Sequence, residues 1–222
     1  MPKKSGIVFV IAGAVLMLSA LSLFLYNWLE NAKAGQESIN LLSEIQAEIE
    51  ENTPPTLSAE TEVRDSSPQE TKPAETLDPE LPVTEINGYG YVGYLSIPDL
   101  GLELPVMAEW DYDRLKISPC RQHGSSRTDD LVIAAHNYKT HFGNLSALEQ
   151  GAVIVFTDMD GVQNTYEVEV TDVLAPTEVE TVLNSDYDLV LYTCTVGGRT
   201  RVTVFCNRQE AASSAPDTAP VK

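Results

Sequence analysis

The sequence predicts a mainly β domain, an antiparallel-rich barrel or sandwich, carried by a single N-terminal membrane helix. Three observations lead there. Seven short apolar or alternating runs stand between residues 86 and 208, separated by Gly, Pro, Asn and Asp. Only two runs in the same stretch, 110–117 and 142–148, look like short helices. An uncharged run at 6–29 is long enough to cross a bilayer.

The N-terminal run comes first. Residues 7–25 are 19 mostly apolar residues. At about 1.5 Å rise per residue, such a run covers the roughly 30 Å hydrocarbon core. Tyr26 and Trp28 follow, where an interfacial aromatic belt sits. Lys3 and Lys4 precede the run and acids follow it, so the positive-inside rule leaves 1–5 in the cytoplasm and the bulk outside. The run exceeds a signal-peptide core. Ala32-Lys33-Ala34 is only a weak cleavage site, so the segment reads as a retained anchor at 6–29. There is no second long apolar run, which predicts a single-pass protein of the cell membrane.

A helical stem is expected at 30–51, where Ile39, Leu42, Ile45 and Ile49 follow a 3–4 spacing. At 52–85 the composition changes. Pro54, Pro55, Pro68, Pro73, Pro79 and Pro82 break any helix, with Ser, Thr and Glu between them. Residues 41–85 hold 12 acidic and two basic side chains, as expected of an extended, disordered acidic linker whose role is reach. The tail, 209–222, is also expected to be disordered.

The remaining 86–208 is a normal single-domain size. The predicted strands are 91–97, 102–107, 131–135, 152–157, 165–173, 188–193 and 201–206. The run at 165–173 alternates apolar and polar residues as a half-buried strand does.

Composition removes some function classes. The chain has 222 residues, 33 acidic against 14 basic, a net charge of -19. A nucleic-acid binder needs a basic surface to displace counterions from phosphates. Three cysteines are an odd number, so a disulfide framework of the small secreted type is ruled out.

Two segments carry candidate chemistry. In the first, an apolar strand delivers Cys194 to its end. A Gly197-Gly198 turn follows, and a second strand starts at Arg201. A cation beside Cys194 favours the thiolate and stabilises a developing oxyanion. Spacing alone leaves a second reading open, a buried structural cysteine beside a surface arginine. In the second segment a strand ends at His136, just before a polar loop. That is a suitable place for acid–base work near neutral pH. His141 lies five residues on, and His123 lies in a polar stretch that reads as plain loop. Any one of these histidines taken alone reads better as structural or exposed.

Together these pieces resemble the sortase family, the cysteine transpeptidases of Gram-positive cell surfaces. The resemblance rests on Val190-Leu191-Tyr192-Thr193-Cys194 followed by Arg201 at the start of the next strand. It also rests on the strand-ending His136 with Phe142, Leu145, Leu148 and Gly151 after it, and on Ile97-Pro98-Asp99-Leu100 with Pro105-Val106. It spans about 89–207.

The resemblance implies a closed eight-stranded sortase-like β-barrel with short helices. It implies Cys194 as nucleophile, His136 as general acid and base, and Arg201 as the group that binds substrate carbonyl and oxyanion. The implied reaction is cleavage of a Leu-Pro-x-Thr-Gly-like sorting signal, with the acyl product joined to an amine of the cell wall. The implied partners are exported surface proteins and a peptidoglycan precursor or pilin amine, with no cofactor or metal.

Three departures stand out. Val190 replaces a Thr common in the motif. Arg199 precedes Arg201 by two residues and rivals it, although the apolar run starts directly after Arg201. The connection 173–188 is shorter than the helical insertion of class B sortases. Asp78-Pro79-Glu80 begins like the lid of pilin-polymerising sortases but lacks the aromatic, and the C-terminal residues are polar, so wall anchoring is favoured over pilin polymerisation. A non-catalytic surface scaffold on the same barrel, or another wall-active cysteine enzyme such as an L,D-transpeptidase, are the remaining readings. Cys120 and Cys206 match no catalytic position.

Overall fold

The computed structural model describes residues 3–52 and 78–209. Most of the acidic linker expected at 52–85, and the tail from 210 onward, lie outside the described residues. The first element, α1 (Lys3–Asn52), is one continuous helix. Nine strands follow: β1 (Thr84–Ile86), β2 (Tyr89–Ile97), β3 (Leu102–Met107), β4 (Cys120–His123), β5 (Leu131–Ala135), β6 (Val153–Asp158), β7 (Gln163–Leu174), β8 (Leu189–Cys194) and β9 (Arg201–Arg208). A short helix, α2 (Val179–Leu183), lies between β7 and β8.

The sheet runs β1-β2-β3-β4-β5-β8-β9-β7-β6, and β2 also pairs with β6. That last pairing closes eight strands, β2 to β9, into a barrel of mixed direction. β1 is a short addition on the edge of β2 that β6 leaves uncovered. The expected closed eight-stranded barrel is therefore present.

β5 pairs in parallel with β8. Strands paired in parallel and covered on both faces read as unbroken apolar runs. Leu131, Val132, Ile133, Ala134 and Ala135 are accordingly all buried. β7 instead alternates buried and exposed residues, because one of its faces meets water.

The barrel interior is filled by side chains such as Leu95, Ile97, Ile133, Phe156, Tyr166, Leu191 and Val204. The outward face of the sheet has two covers. Val132, Val190 and Phe205 pack beneath α2 through Val182. Tyr91, Met107, Leu115, Cys120 and Ala134 pack beneath α1 through Leu41, Ile45 and Ile49. Burial of each large aliphatic side chain contributes about 1.5–3 kcal/mol, so this face is a firm dock for the stem.

Several local expectations change. The stem's buried stripe is Ala34, Ser38, Leu41, Ile45 and Ile49, whereas Ile39 is 63% exposed. The sequence carries two overlapping stripes, and the docking partner selects one of them. The polar stretch after Pro119, read as loop, begins with β4. This strand joins β3 through the single parallel pair Met107↔Cys120 and joins β5 antiparallel.

The two expected helices shorten to single 3-10 turns, Arg114–Lys116 and Leu145–Ala147. The domain boundary expected at Ile86 falls inside the β1–β2 hairpin. Asn87 (φ 52°) and Gly88 (φ 81°) form its turn with the left-handed backbone that Asn-Gly favours. Leu81, still earlier, is buried.

Candidate active site

The site is assembled at one end of three neighbouring strands. In the parallel pair, Ala135 of β5 stands opposite Thr193 of β8. His136 and Cys194 are the next residues on each, so they leave adjacent rails that in a sheet lie about 4.8 Å apart. The buried Thr193 Oγ1 donates to the Ala135 carbonyl at 2.8 Å and pins the two ends together. On the other side, Cys194 pairs across the antiparallel ladder with Arg201 of β9.

The β8–β9 connection is short and internally bonded. The Thr195 N–H donates to the Thr200 carbonyl at 3.0 Å, and the Gly198 N–H donates to the Thr195 carbonyl at 2.8 Å. Gly197 (φ 86°) and Gly198 (φ 70°) supply the left-handed backbone that so tight a return needs. Arg199 is exposed in this turn, whereas Arg201 is half-buried at the strand start. The Arg201 guanidinium donates from Nη1 to the Gly198 and Thr200 carbonyls, at 3.1 and 3.0 Å. Neither Nε nor Nη2 makes a hydrogen bond among the described residues.

Cys194 and Arg201 line a cavity of about 210 Å³. Its other walls include Trp110 and Tyr112 from the β3–β4 connection, Leu174 at the end of β7, and Pro176, Glu178 and Val182 from the segment after it. A neighbouring open groove of about 700 Å³ shares Trp110 and Gln122 with it. Pro79 and Glu80 lie on the wall of that second cavity. The Arg127 guanidinium holds this segment by donating to the Asp78 carbonyl at 3.2 Å.

His136 does not line the smaller cavity. Its imidazole is stacked on Tyr138, with centroids 4.7 Å apart and planes 18° apart. Burial pulls its pKa below the ordinary histidine value and Lys116 adds to the shift, while a side-chain hydrogen bond with Asn137 opposes it. The ring is therefore mostly neutral near pH 7, in the state that accepts a proton.

The remaining histidines and cysteines separate by burial. His141 is fully buried, and burial pushes its pKa down to about 4. His123 is exposed, 3.7 Å from the Asp130 carboxylate. Cys120 and Cys206 are buried, and burial pushes both thiols up to about 12. Cys194 is the half-buried thiol. Sequence reasoning did not single out Tyr138, Trp110, Tyr112 or Glu178. The aromatic at Tyr138, two residues after His136, was the available signal. Among the described residues no group of three or more His, Cys, Asp or Glu side chains is placed to hold a metal ion.

A closed mixed barrel that carries a cysteine, an arginine and a histidine at one rim has the residue types that cysteine acyl transfer uses. Comparison with known proteins narrows this. A family model described as the sortase domain matches residues 95–209, more than half of the chain. The chain belongs to the sortase family, whose members are cysteine transpeptidases.

Sortase A from Corynebacterium diphtheriae has the same fold, with a TM-score of 0.51 and 22% identity over 58% of this chain. The match spans 65% of that protein's length. Sortase C from Clostridium perfringens SM101 matches with a TM-score of 0.48 and 24% identity, over 55% of this chain and 71% of that one. Sortase C1 from Streptococcus suis matches at 0.48 and 26%, over 55% and 75%. No curated protein sequence matches the chain.

Proposed function

We propose that the chain is a membrane-anchored sortase that cleaves a Leu-Pro-x-Thr-Gly-like sorting signal between Thr and Gly and transfers the acyl product to a cell-wall amine. The carrying observation is the Cys194↔Arg201 pair at the strand ends, with His136 leaving the adjacent strand.

The Cys194 thiol passes its proton to His136, and the thiolate attacks the Thr carbonyl carbon. Negative charge develops on the carbonyl oxygen, where the Arg201 guanidinium stabilises it. The C–N bond breaks and His136 returns the proton to the departing glycine amine, leaving a thioester on Cys194. An acceptor amine then attacks the thioester, His136 takes its proton, and Cys194 leaves as thiolate. The N-terminal helix supports the anchored placement: it is the one helix among the described residues long and apolar enough to cross a membrane, with a mean hydropathy of 2.7 over an 18-residue window.

The test uses the full chain in detergent with labelled sorting peptides and an oligoglycine amine. The expected result is a peptidyl-threonine thioester on Cys194 and loss of turnover in Cys194→Ala. Wild-type turnover in that variant sinks the reading. A pilin-polymerising role is the second reading, favoured by the placement of Pro79 and Glu80 along the groove. Exclusive use of a pilin lysine amine over oligoglycine would select it.

A further inference from the structure

The stem half of α1 meets the barrel at the loop that begins with His136. Asn31, Gly35 and Ser38 share one face of the helix, at i, i+4 and i+7. Asn31 Oδ1 accepts the Lys139 N–H at 2.8 Å, and the Asn31 carbonyl accepts the Thr140 hydroxyl at 3.2 Å. Gly35 lies directly against Thr140: a Cβ there would come within 2.7 Å of Cγ2. A mid-helix glycine costs roughly 1 kcal/mol relative to alanine, and this close approach accounts for it.

Ser38 Oγ is 3.3 Å from His141 Nε2 and 3.3 Å from the Ile117 carbonyl. The hydroxyl has one proton. Given to Ile117, it leaves Ser38 to accept from the protonated Nε2 of a neutral His141.

These contacts are polar and buried. Ser38 is 2% exposed and His141 is fully covered. A stem that only covered the barrel's outer face would put apolar side chains there, as it does at Leu41, Ile45 and Ile49. The polar contacts instead continue toward His136. His141 packs on Tyr138 with centroids 5.5 Å apart, and Tyr138 stacks on His136. The loop's other ties are Phe142 in the barrel core and its own backbone bonds, Phe142 N–H to the His136 carbonyl at 3.2 Å and the His141 and Gly143 N–H groups to the Tyr138 carbonyl at 2.9 and 2.8 Å.

We propose that the stem of α1 is a positioning element of the active centre, holding the His136 loop through Asn31, Gly35 and Ser38 and fixing the imidazole through His141 and Tyr138. This rests on the reading of His136 as the acid and base. Stem contact keeps Tyr138 against the imidazole and water away from it. The charged and titratable groups around His136 are Lys116 from the β3–β4 connection and Tyr138 and His141 from its own loop. From α1, Glu30 and Tyr26 act on Tyr138.

Gly35→Ala tests this in the full chain, because it strengthens the helix while forcing Thr140 away. The expected result is a kcat lowered about tenfold with KM within twofold, since small displacements of catalytic groups carry such costs. The His136 titration, followed by NMR in a Cys194→Ala background, moves up toward the ordinary histidine value. Adding Thr140→Ser, which removes Cγ2 and keeps the hydroxyl, restores most of both. Ser38→Ala moves the same titration in the same direction. An unmoved His136 titration and unchanged kcat in both Gly35→Ala and Ser38→Ala overturn the proposal. Retained turnover in His136→Ala instead overturns the acid–base reading, and the titration still reports separately on the stem contact.

Discussion

Cys194 and Arg201 face each other across the rung where β8 and β9 part. A strand pair fixes these two backbone positions, so the point from which the arginine side chain starts does not depend on a flexible loop. Arg199, two residues earlier, is outside the ladder and exposed. Arg201→Lys keeps the charge but loses the planar fork, and kcat/KM is expected to fall by about 10²–10³. Arg199→Ala stays within about twofold, as surface changes away from a site do. Steady-state kinetics on a sorting peptide compare the two, and a larger loss in Arg199→Ala reverses the assignment.

The three thiols differ in access. Burial pushes Cys120 and Cys206 up to about 12, so their thiolate fraction near pH 8 is negligible, and neither is exposed. Iodoacetamide at pH 8 is expected to label Cys194 alone in the folded chain and all three cysteines after unfolding. Peptide mapping reads this directly. Labelling of Cys120 at a comparable rate contradicts the packing of α1 over it.

His141 makes the fold acid-sensitive. Its folded pKa is pushed down to about 4 from the ordinary 6.5, so the unfolded chain takes a proton at a pH where the folded one does not. Its contribution to stability is therefore complete above about pH 6.5 and is lost as pH falls toward 4, a change on the order of 3 kcal/mol. Urea unfolding between pH 7 and 4 measures the slope. His141→Gln, which cannot be protonated, flattens it.

Arg127 and Asp158 form a buried pair. Arg127 Nη2 stands 2.7 Å from Asp158 Oδ2, and Asp158 is fully buried. The other carboxylate oxygen accepts the Asp160 and Val162 N–H groups and closes the β6–β7 turn. Arg127→Met leaves that carboxylate unpaired and is expected to cost about 3–5 kcal/mol. Adding Asp158→Asn, which keeps an oxygen for the turn, recovers part of the loss. Chemical denaturation of both variants checks the coupling.

Much of the barrel was legible from pattern. β5 and β8 are unbroken apolar runs, and β7 alternates, because burial on two faces or one writes those periods into the chain. β4 was not legible: Cys-Arg-Gln-His has no period, and the strand exists because its neighbours offer it edges. The Asn87-Gly88 turn was a usable signal for the added hairpin with β1. Cys194, Arg201 and His136 stood out in the sequence because each sits where a strand meets a turn, and the family resemblance supplied the roles expected of them. Asn31, Gly35 and Ser38 could not be read, since a polar or small residue on a helix reveals its partner only once the partner is in place. The same holds for the stem's stripe, in which Ile39 competed with Ile45 and Ile49.

α1 runs without a break from its apolar part into its docked part. Leu29, at the end of the uncharged run, is exposed, and Asn31 already touches the His136 loop. Two residues of helix are about 3 Å of rise. The stem docks before the acidic segment begins, so the barrel's distance from the span is set by the helix and not by the reach of that segment. With the apolar part in a bilayer, the loop after His136 lies next to the end of the span. A polypeptide held in the same leaflet then meets it by lateral diffusion in two dimensions, and encounter frequency follows areal density and lipid fluidity instead of bulk concentration.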